Sequence, residues 1–220
     1  VGDIVLFGGG PITDVALVYL EKFSDHRVVG FTVDEEYRRG DTLHGRPLVS
    51  WPQLEERFPP DEVQLLGPIS YRRLNELRKD RYLEGKARGY EFASFIHPDC
   101  DILTDEIGEN CFILEHNVIQ PFARVGNNVV MWSTNHIGHH VTVGDHCFFT
   151  SYSGVAGATT IGERCFIGGR VAVGDNLTVG DGCLLSIGAI VATSVPPNSI
   201  VFGPRATIKP ADPAALQALL

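Results

Sequence analysis

The sequence is short of positive charge. Its 18 Lys and Arg face 27 Asp and Glu, for a net charge of −9 over 220 residues. Nucleic acid and anionic membranes select clustered basic surfaces, so neither is expected as a partner. No apolar run approaches the ~18 residues of a membrane span. The chain begins Val1-Gly2-Asp3-Ile4, without a basic flank or a secretory apolar core, and a cytoplasmic protein is expected. The 5 cysteines include no paired spacing of metal-binding type. That argues against a disulfide framework or a zinc site, and no metal is expected.

What is present falls into two grammars. Ile4-Val5-Leu6-Phe7 is a short apolar strand ending in Gly8-Gly9-Gly10, Asp14 to Phe23 has helical spacing, and Val28 to Val33 is a second buried strand closed by Asp34. Strand, glycine turn, helix and strand make a Rossmann-like βαβ unit. Val63 to Leu66 is a candidate third strand. Pro47 to Pro60 reads as a connector with a short helix near Trp51 to Leu54. Tyr71 to Gly89 reads as a helix with Leu74, Leu77, Tyr82 and Leu83 on one side.

The glycine turn suits backbone N–H groups approaching phosphate at a helix N-terminus. It is not the dinucleotide fingerprint, because Thr13 stands where the third glycine would fall. Gly8, Gly9, Gly10 and Asp34 are candidate ligand contacts, with Asp34 accepting hydrogen bonds from a ribose or base. A tight turn without a ligand is the alternative. The basic residues Arg72, Arg73, Arg78, Lys79 and Arg81 read as a solvated helix face, or as the border of an anionic ligand.

Beyond residue 95 a hexad takes over. From Ile107 to Val191, fifteen consecutive six-residue steps open on an apolar residue. In a chain that is 44% hydrophobic, chance gives such a run odds on the order of one in 10⁵. A strict hexad signals a parallel β-helix. Gly108, Gly126, Gly144, Gly162 and Gly180 recur every 18 residues, so one coil is three hexads of triangular section, the left-handed form. The expected fold is therefore a mixed α/β N-terminal βαβ domain, residues 1–95, followed by an all-β left-handed parallel β-helix, residues 96–204, and a C-terminal tail, residues 205–220. Cys111, Cys147, Cys165 and Cys183 share the fifth hexad position and read as small core hydrophobes. Asn117 and Asn135 share it too and should form a satisfied ladder of buried amides. A role for Asn135 in bracing the segment His136 to His140 is the second reading.

Residues 18 apart become neighbours on successive coils, about 4.8 Å apart. The third position of one face reads Pro121, His139, Gly157, Asp175, Thr193. A histidine thus lies one coil from a glycine N–H on the prism surface. An imidazole can deprotonate an amine or hydroxyl, and a backbone N–H can hold a carbonyl oxygen as it becomes an oxyanion. That pairing points to acyl transfer. His136, at an expected coil corner, is the second candidate base.

The stretch Asn135-His136-Ile137-Gly138-His139-His140-Val141-Thr142-Val143-Gly144-Asp145, followed by Val155-Ala156-Gly157-Ala158-Thr159-Thr160-Ile161-Gly162, resembles the hexapeptide-repeat sugar acyltransferases. The resemblance is to the branch of bacillosamine and perosamine N-acetyltransferases and spans almost the whole chain. It implies a homotrimer, a nucleotide-sugar substrate on the βαβ domain, and acetyl-CoA between neighbouring β-helices. It matches the family's catalytic histidine to His139 and its oxyanion N–H to Gly157, with Ala156 beside it on the cofactor's side. It matches CoA contacts to Gly169 and Gly188. Arg170 is either a phosphate contact near that path or a solvated side chain. Phe202-Gly203-Pro204-Arg205-Ala206 resembles the segment that closes beside the CoA adenine.

Three positions depart from the branch. His140 stands where an acidic residue follows the histidine, and Glu115 and Asp145 are candidate replacements as its orienting partner. Trp132 replaces an asparagine, and Phe148 replaces a histidine on the CoA side. With Phe149 and Tyr152 these residues make an expected bulky patch. Other readings compete with N-acetylation of an amino sugar: O-acylation of a sugar hydroxyl, a γ-carbonic-anhydrase-like hydratase, and a non-catalytic β-helix scaffold. No histidine follows His146, which counts against the hydratase, and the irregular faces count against the scaffold.

Overall fold

A computed structural model describes residues 2–208 and 210. The rest of the expected tail, 209 and 211–220, lies outside the described residues. Strand β1 (Asp3–Phe7), helix α1 (Pro11–Phe23) and strand β2 (Arg27–Val33) form the βαβ unit, the two strands pairing in parallel. There follow β3 (Thr42–Leu43), β4 (Arg46–Ser50), α2 (Leu54–Arg57), β5 (Gln64–Leu66), α3 (Glu76–Ala87) and β6 (Glu91–Phe92). The sheet runs in the order β3-β4-β2-β1-β5-β6, and only β3 is antiparallel to its neighbour.

Two expectations change here. The connector from Pro47 to Pro60 holds most of strand β4, which pairs with β2 through Phe31 and Leu48. Pro47 near its start hides the strand in the sequence, because proline is rare inside sheets. The helix expected from Tyr71 starts only at Glu76, since Arg73, Leu74 and Asn75 adopt left-handed φ of 55°, 52° and 65°. Its buried residues are Arg78, Tyr82 and Gly85, while Leu83 faces solvent.

From Phe95 the chain winds into coils of three two-residue strands each. The first face stacks strands from Phe95–Ile96 to Ile200–Val201, the second from Asp101–Ile102 to Ile190–Val191, and the third from Arg124–Val125 to Thr178–Val179. Pairs such as His136↔Gly154 and Phe148↔Phe166 fix the 18-residue register. The first hexad positions point inward and form one core, joined by the fifth-position cysteines. Burial pushes the Cys111 thiol up to about 12, as expected of an inert filler. The fourth position of each corner adopts left-handed φ, as at Asn128, His140, His146, Ala158 and Arg170. Asn117 Oδ1 accepts from Asn135 N at 3.0 Å, and Asn135 Oδ1 accepts from Ser153 N at 2.9 Å, which makes the buried amide ladder.

The α/β part packs on the first face. Phe95, Phe112, Leu114, Val130 and Phe148 share a core with Ile4, Leu6 and Leu20. At the corner between first and second faces, Tyr19 Oη donates to Glu115 Oε2 at 2.7 Å. At the corner between third and first faces, Arg78 is buried, 1% exposed. This overturns its reading as part of a solvated face. Its guanidinium donates to the carbonyls of Asn128, His146 and Cys147 at 3.2, 2.8 and 3.1 Å, and no carboxylate among the described residues pairs with it. Burial lowers its pKa to about 10, which leaves it charged at neutral pH.

Candidate active site

Strand His136–Ile137 ends on the second face, and the chain turns through Gly138, His139 and His140 toward the third. His139 is exposed, and its ring lies flat on the next coil. A Cβ added to Gly157 would stand 2.5 Å from His139 Cε1 and 2.6 Å from Nε2. Only glycine leaves that space. Backbone bonds hold the two coils together: Ala158 N donates to His139 O at 2.9 Å.

The N–H of Gly157 is free for a physical reason. One coil earlier, the N–H of His139 donates to the side chain of Gln120 at 2.9 Å. The residue in Gln120's place for Gly157 is Gly138, which has no side chain to offer. Gly157 N accordingly has no acceptor among the described residues. Gln120, His136, His139, Ala156 and Gly157 line a shallow groove of about 420 Å³ beside it. A base and an uncovered donor thus face one space.

His136 lies on the strand, not at a corner, and lines the same groove. Asn135 is turned into the coil, where its amide also donates to Trp132 O at 2.6 Å, so it reaches the histidines only through the backbone. Neither carboxylate proposed to orient His139 is near it. Glu115 sits at the corner between first and second faces, bonded to Ser133 Oγ at 2.7 Å as well as Tyr19. Asp145 sits at the corner between third and first faces, accepting from Asn127 N at 2.7 Å. The group in contact with His139 is His140, with their Nδ1 atoms 3.2 Å apart.

Four of the positions expected along the CoA path cluster away from His139. Gly169, Arg170, Gly188 and Gly203 stack along the corner between first and second faces, where Gly188 N donates to Gly169 O at 2.8 Å and Arg170 lies 6.0 Å from the Tyr152 ring. Ala156 and Gly157 lie on the far side of the second face. One chain therefore does not bring the set together. The expected bulky patch also disperses. Phe148 is buried between the α/β part and the first face, stacked 5.7 Å from Phe166, so it does not face the CoA side. Trp132 packs against that same core, Phe149 points into the coil and Tyr152 is exposed.

The structure does bring Gly8, Gly9, Gly10 and Asp34 together. They line a pocket of about 600 Å³ with Tyr37, Arg39, Tyr71 and Arg72. Gly10 precedes α1 with no side-chain cap, so the helix N-terminus opens into the pocket. Arg81 Nε donates to Asp34 Oδ1 at 2.8 Å, which occupies one carboxylate oxygen. Of the two cations, Arg72 belongs to the basic set read as a possible border of an anionic ligand, and Arg39 is the addition: it belongs to no motif, and only the fold carries it to the glycines. Tyr71 packs on Phe148 and Phe166, which fixes this pocket over the first face. The corner carrying His139, between second and third faces, is opposite that face of the triangle.

An N-terminal α/β unit followed by a left-handed parallel β-helix is the architecture these observations define. No protein-family model and no curated protein matches the chain. Solved structures do. A histidine-to-asparagine variant of perosamine N-acetyltransferase from Caulobacter crescentus, in complex with CoA and GDP-perosamine, has a TM-score of 0.77 at 21% identity, covering 96% of this chain and 98% of that one. The acetyltransferase domain of PglB from Neisseria gonorrhoeae FA1090, in complex with acetyl coenzyme A, has a TM-score of 0.76 at 18% identity, covering 90% and 94%. WeeI from Acinetobacter baumannii AYE has a TM-score of 0.77 at 21% identity, covering 92% and 97%. The chain shares their fold over nearly its whole length. Among the described residues no helix is long and apolar enough to cross a membrane.

Proposed function

We propose that this protein transfers the acetyl group of acetyl-CoA to the amine of a nucleotide-linked sugar. The observation that carries this reading is the His139 ring lying on Gly157 beside an uncovered N–H. The likeness to structures holding acetyl-CoA, CoA and GDP-perosamine supports the same chemistry. His139 Nε2 takes a proton from the amine as its nitrogen bonds to the thioester carbonyl carbon. Gly157 N–H holds the carbonyl oxygen as charge develops on it. The C–S bond then breaks, and the imidazolium returns its proton to the leaving thiolate. Neither step needs a metal or an acyl-enzyme.

In the same reading, residues 1–95 seat the nucleotide and residues 96–204 carry out the transfer. The diphosphate would meet the N–H groups of Gly9 and Gly10 at the start of α1, with Arg39 and Arg72 supplying positive charge. The pocket and His139 lie on opposite sides of one prism, and the Arg170 corner and Gly157 lie at the two ends of its second face. Both separations are bridged if one copy offers its pocket and Arg170 corner to the next copy's His139, as in a cyclic homotrimer. A thermal-shift screen of UDP-, GDP- and dTDP-linked amino sugars, with and without CoA, tests the reading. A rise in Tm with one nucleotide class is expected, and no shift with any nucleotide-sugar or with CoA would overturn it.

A further inference from the structure

We propose that His140 is a positioning residue, whose imidazole accepts a hydrogen bond from His139 Nδ1 and thereby leaves His139 Nε2 unprotonated in the groove. The inference rests on His139 being the base. The two Nδ1 atoms are 3.2 Å apart, so one of them carries the hydrogen between them. If His140 donated it, His139 would hold its own proton on Nε2 and present no lone pair to an amine. If His139 donates it, Nε2 is free to accept, and Nε2 is the nearer of the two ring nitrogens to a Cβ placed on Gly157, at 2.6 Å against 3.0 Å for Nδ1.

The surroundings hold His140 to this task. The Phe122 ring packs on its imidazole at 4.7 Å and 32°. His140 N donates to Pro121 O at 3.3 Å, fixing the backbone at φ 58°. No carboxylate bonds to either ring among the described residues, so His140 is the one side chain hydrogen-bonded to the His139 imidazole there, Gln120 being bonded to its backbone N–H. During transfer the His139 Nδ1–H bond persists: Nε2 gains the amine proton, and the imidazolium keeps donating to His140 until Nε2 gives that proton to the thiolate.

The test separates the hydrogen bond from the backbone. His140→Gly removes the ring and accepts a left-handed φ without strain. His140→Asn tolerates the same φ and returns an acceptor near the place of Nδ1. Nitrogen-15 NMR of the imidazoles reads the tautomer, and steady-state kinetics reads kcat and KM separately. The expected result is His139 protonated on Nδ1 in the wild type and His140→Asn, with mixed tautomers in His140→Gly. Loss of the bond should lower kcat about tenfold in His140→Gly with KM for acetyl-CoA unchanged, and His140→Asn should stay within about threefold of wild type. Wild-type kcat in His140→Gly, an equal loss in both variants, or Nε2-protonated His139 in the wild type would each overturn the proposal. If the wild type transfers no acetyl group, the reading of His139 as base fails, and the NMR result still decides the hydrogen bond.

Discussion

The imidazole of His139 rests on the Cα of Gly157, so close that a Cβ there would stand 2.6 Å from Nε2. The proposed base and oxyanion donor are thus set by one contact between successive coils. Gly157→Ala tests it. The added methyl meets a movable ring and not backbone, so the coil should stay folded while the ring swings away. We expect kcat to fall on the order of 10²-fold with the thermal midpoint nearly unchanged, measured by acetyl-CoA turnover and thermal melting.

Two inactive proteins should repair one another. Arg72→Glu places a negative charge in the pocket, and His139→Ala removes the proposed base. Mixed after partial unfolding and reassembly, a cyclic trimer with sites built across neighbours regains roughly a quarter of wild-type activity at equal proportions. A site built within one chain regains none.

The buried arginine is a stability determinant. Arg78→Met removes the donor to three carbonyls at the corner between third and first faces. We expect a loss of about 3 kcal/mol, seen as a Tm lower by about 6–12 °C. Sequence could not reveal this residue. Charge and helical spacing placed Arg78 with Arg72 and Arg73 on a wet face, and only the docking of α3 onto the β-helix buries it.

Acid should loosen the same seam. Burial lowers the pKa of His146 to about 4, and its Nδ1 accepts from Asn128 Nδ2 at 2.8 Å. The unfolded chain protonates this histidine near ~6.5. Between those values the unfolded state binds more protons, so stability is complete above ~6.5 and declines as pH falls toward about 4. The fall amounts to about 3 kcal/mol. Denaturant melts at pH 7 and pH 4.5 should show it, and His146→Asn, which keeps an acceptor at left-handed φ, should flatten the difference.

The legibility of the chain follows from where the information is local. The hexad set side-chain direction residue by residue, so the core, the amide ladder at Asn135 and the contact of His139 with Gly157 were all readable. The glycines beside Asp34 were readable as one strand–helix turn. Tertiary contacts were not. Phe148 faces the α/β part and not the CoA side, because its outward-pointing position says nothing of what docks there. Gly169, Arg170, Gly188 and Gly203 fall on another corner from Gly157, because successive hexads of the sequence take successive corners of the prism. The partner of His139 proved to be its neighbour His140, a residue type that motif-matching treats as a gap.

The central claim is tested most directly by product analysis with wild type and His139→Ala. Each is given acetyl-CoA and UDP-, GDP- or dTDP-linked amino sugars, and the products are weighed before and after mild alkali. The account predicts an alkali-stable acetyl group on the amino sugar of one nucleotide class, with turnover reduced about 10²- to 10⁴-fold in His139→Ala and acetyl-CoA binding kept. Wild-type turnover in His139→Ala, or an acetyl group that alkali removes, would contradict it.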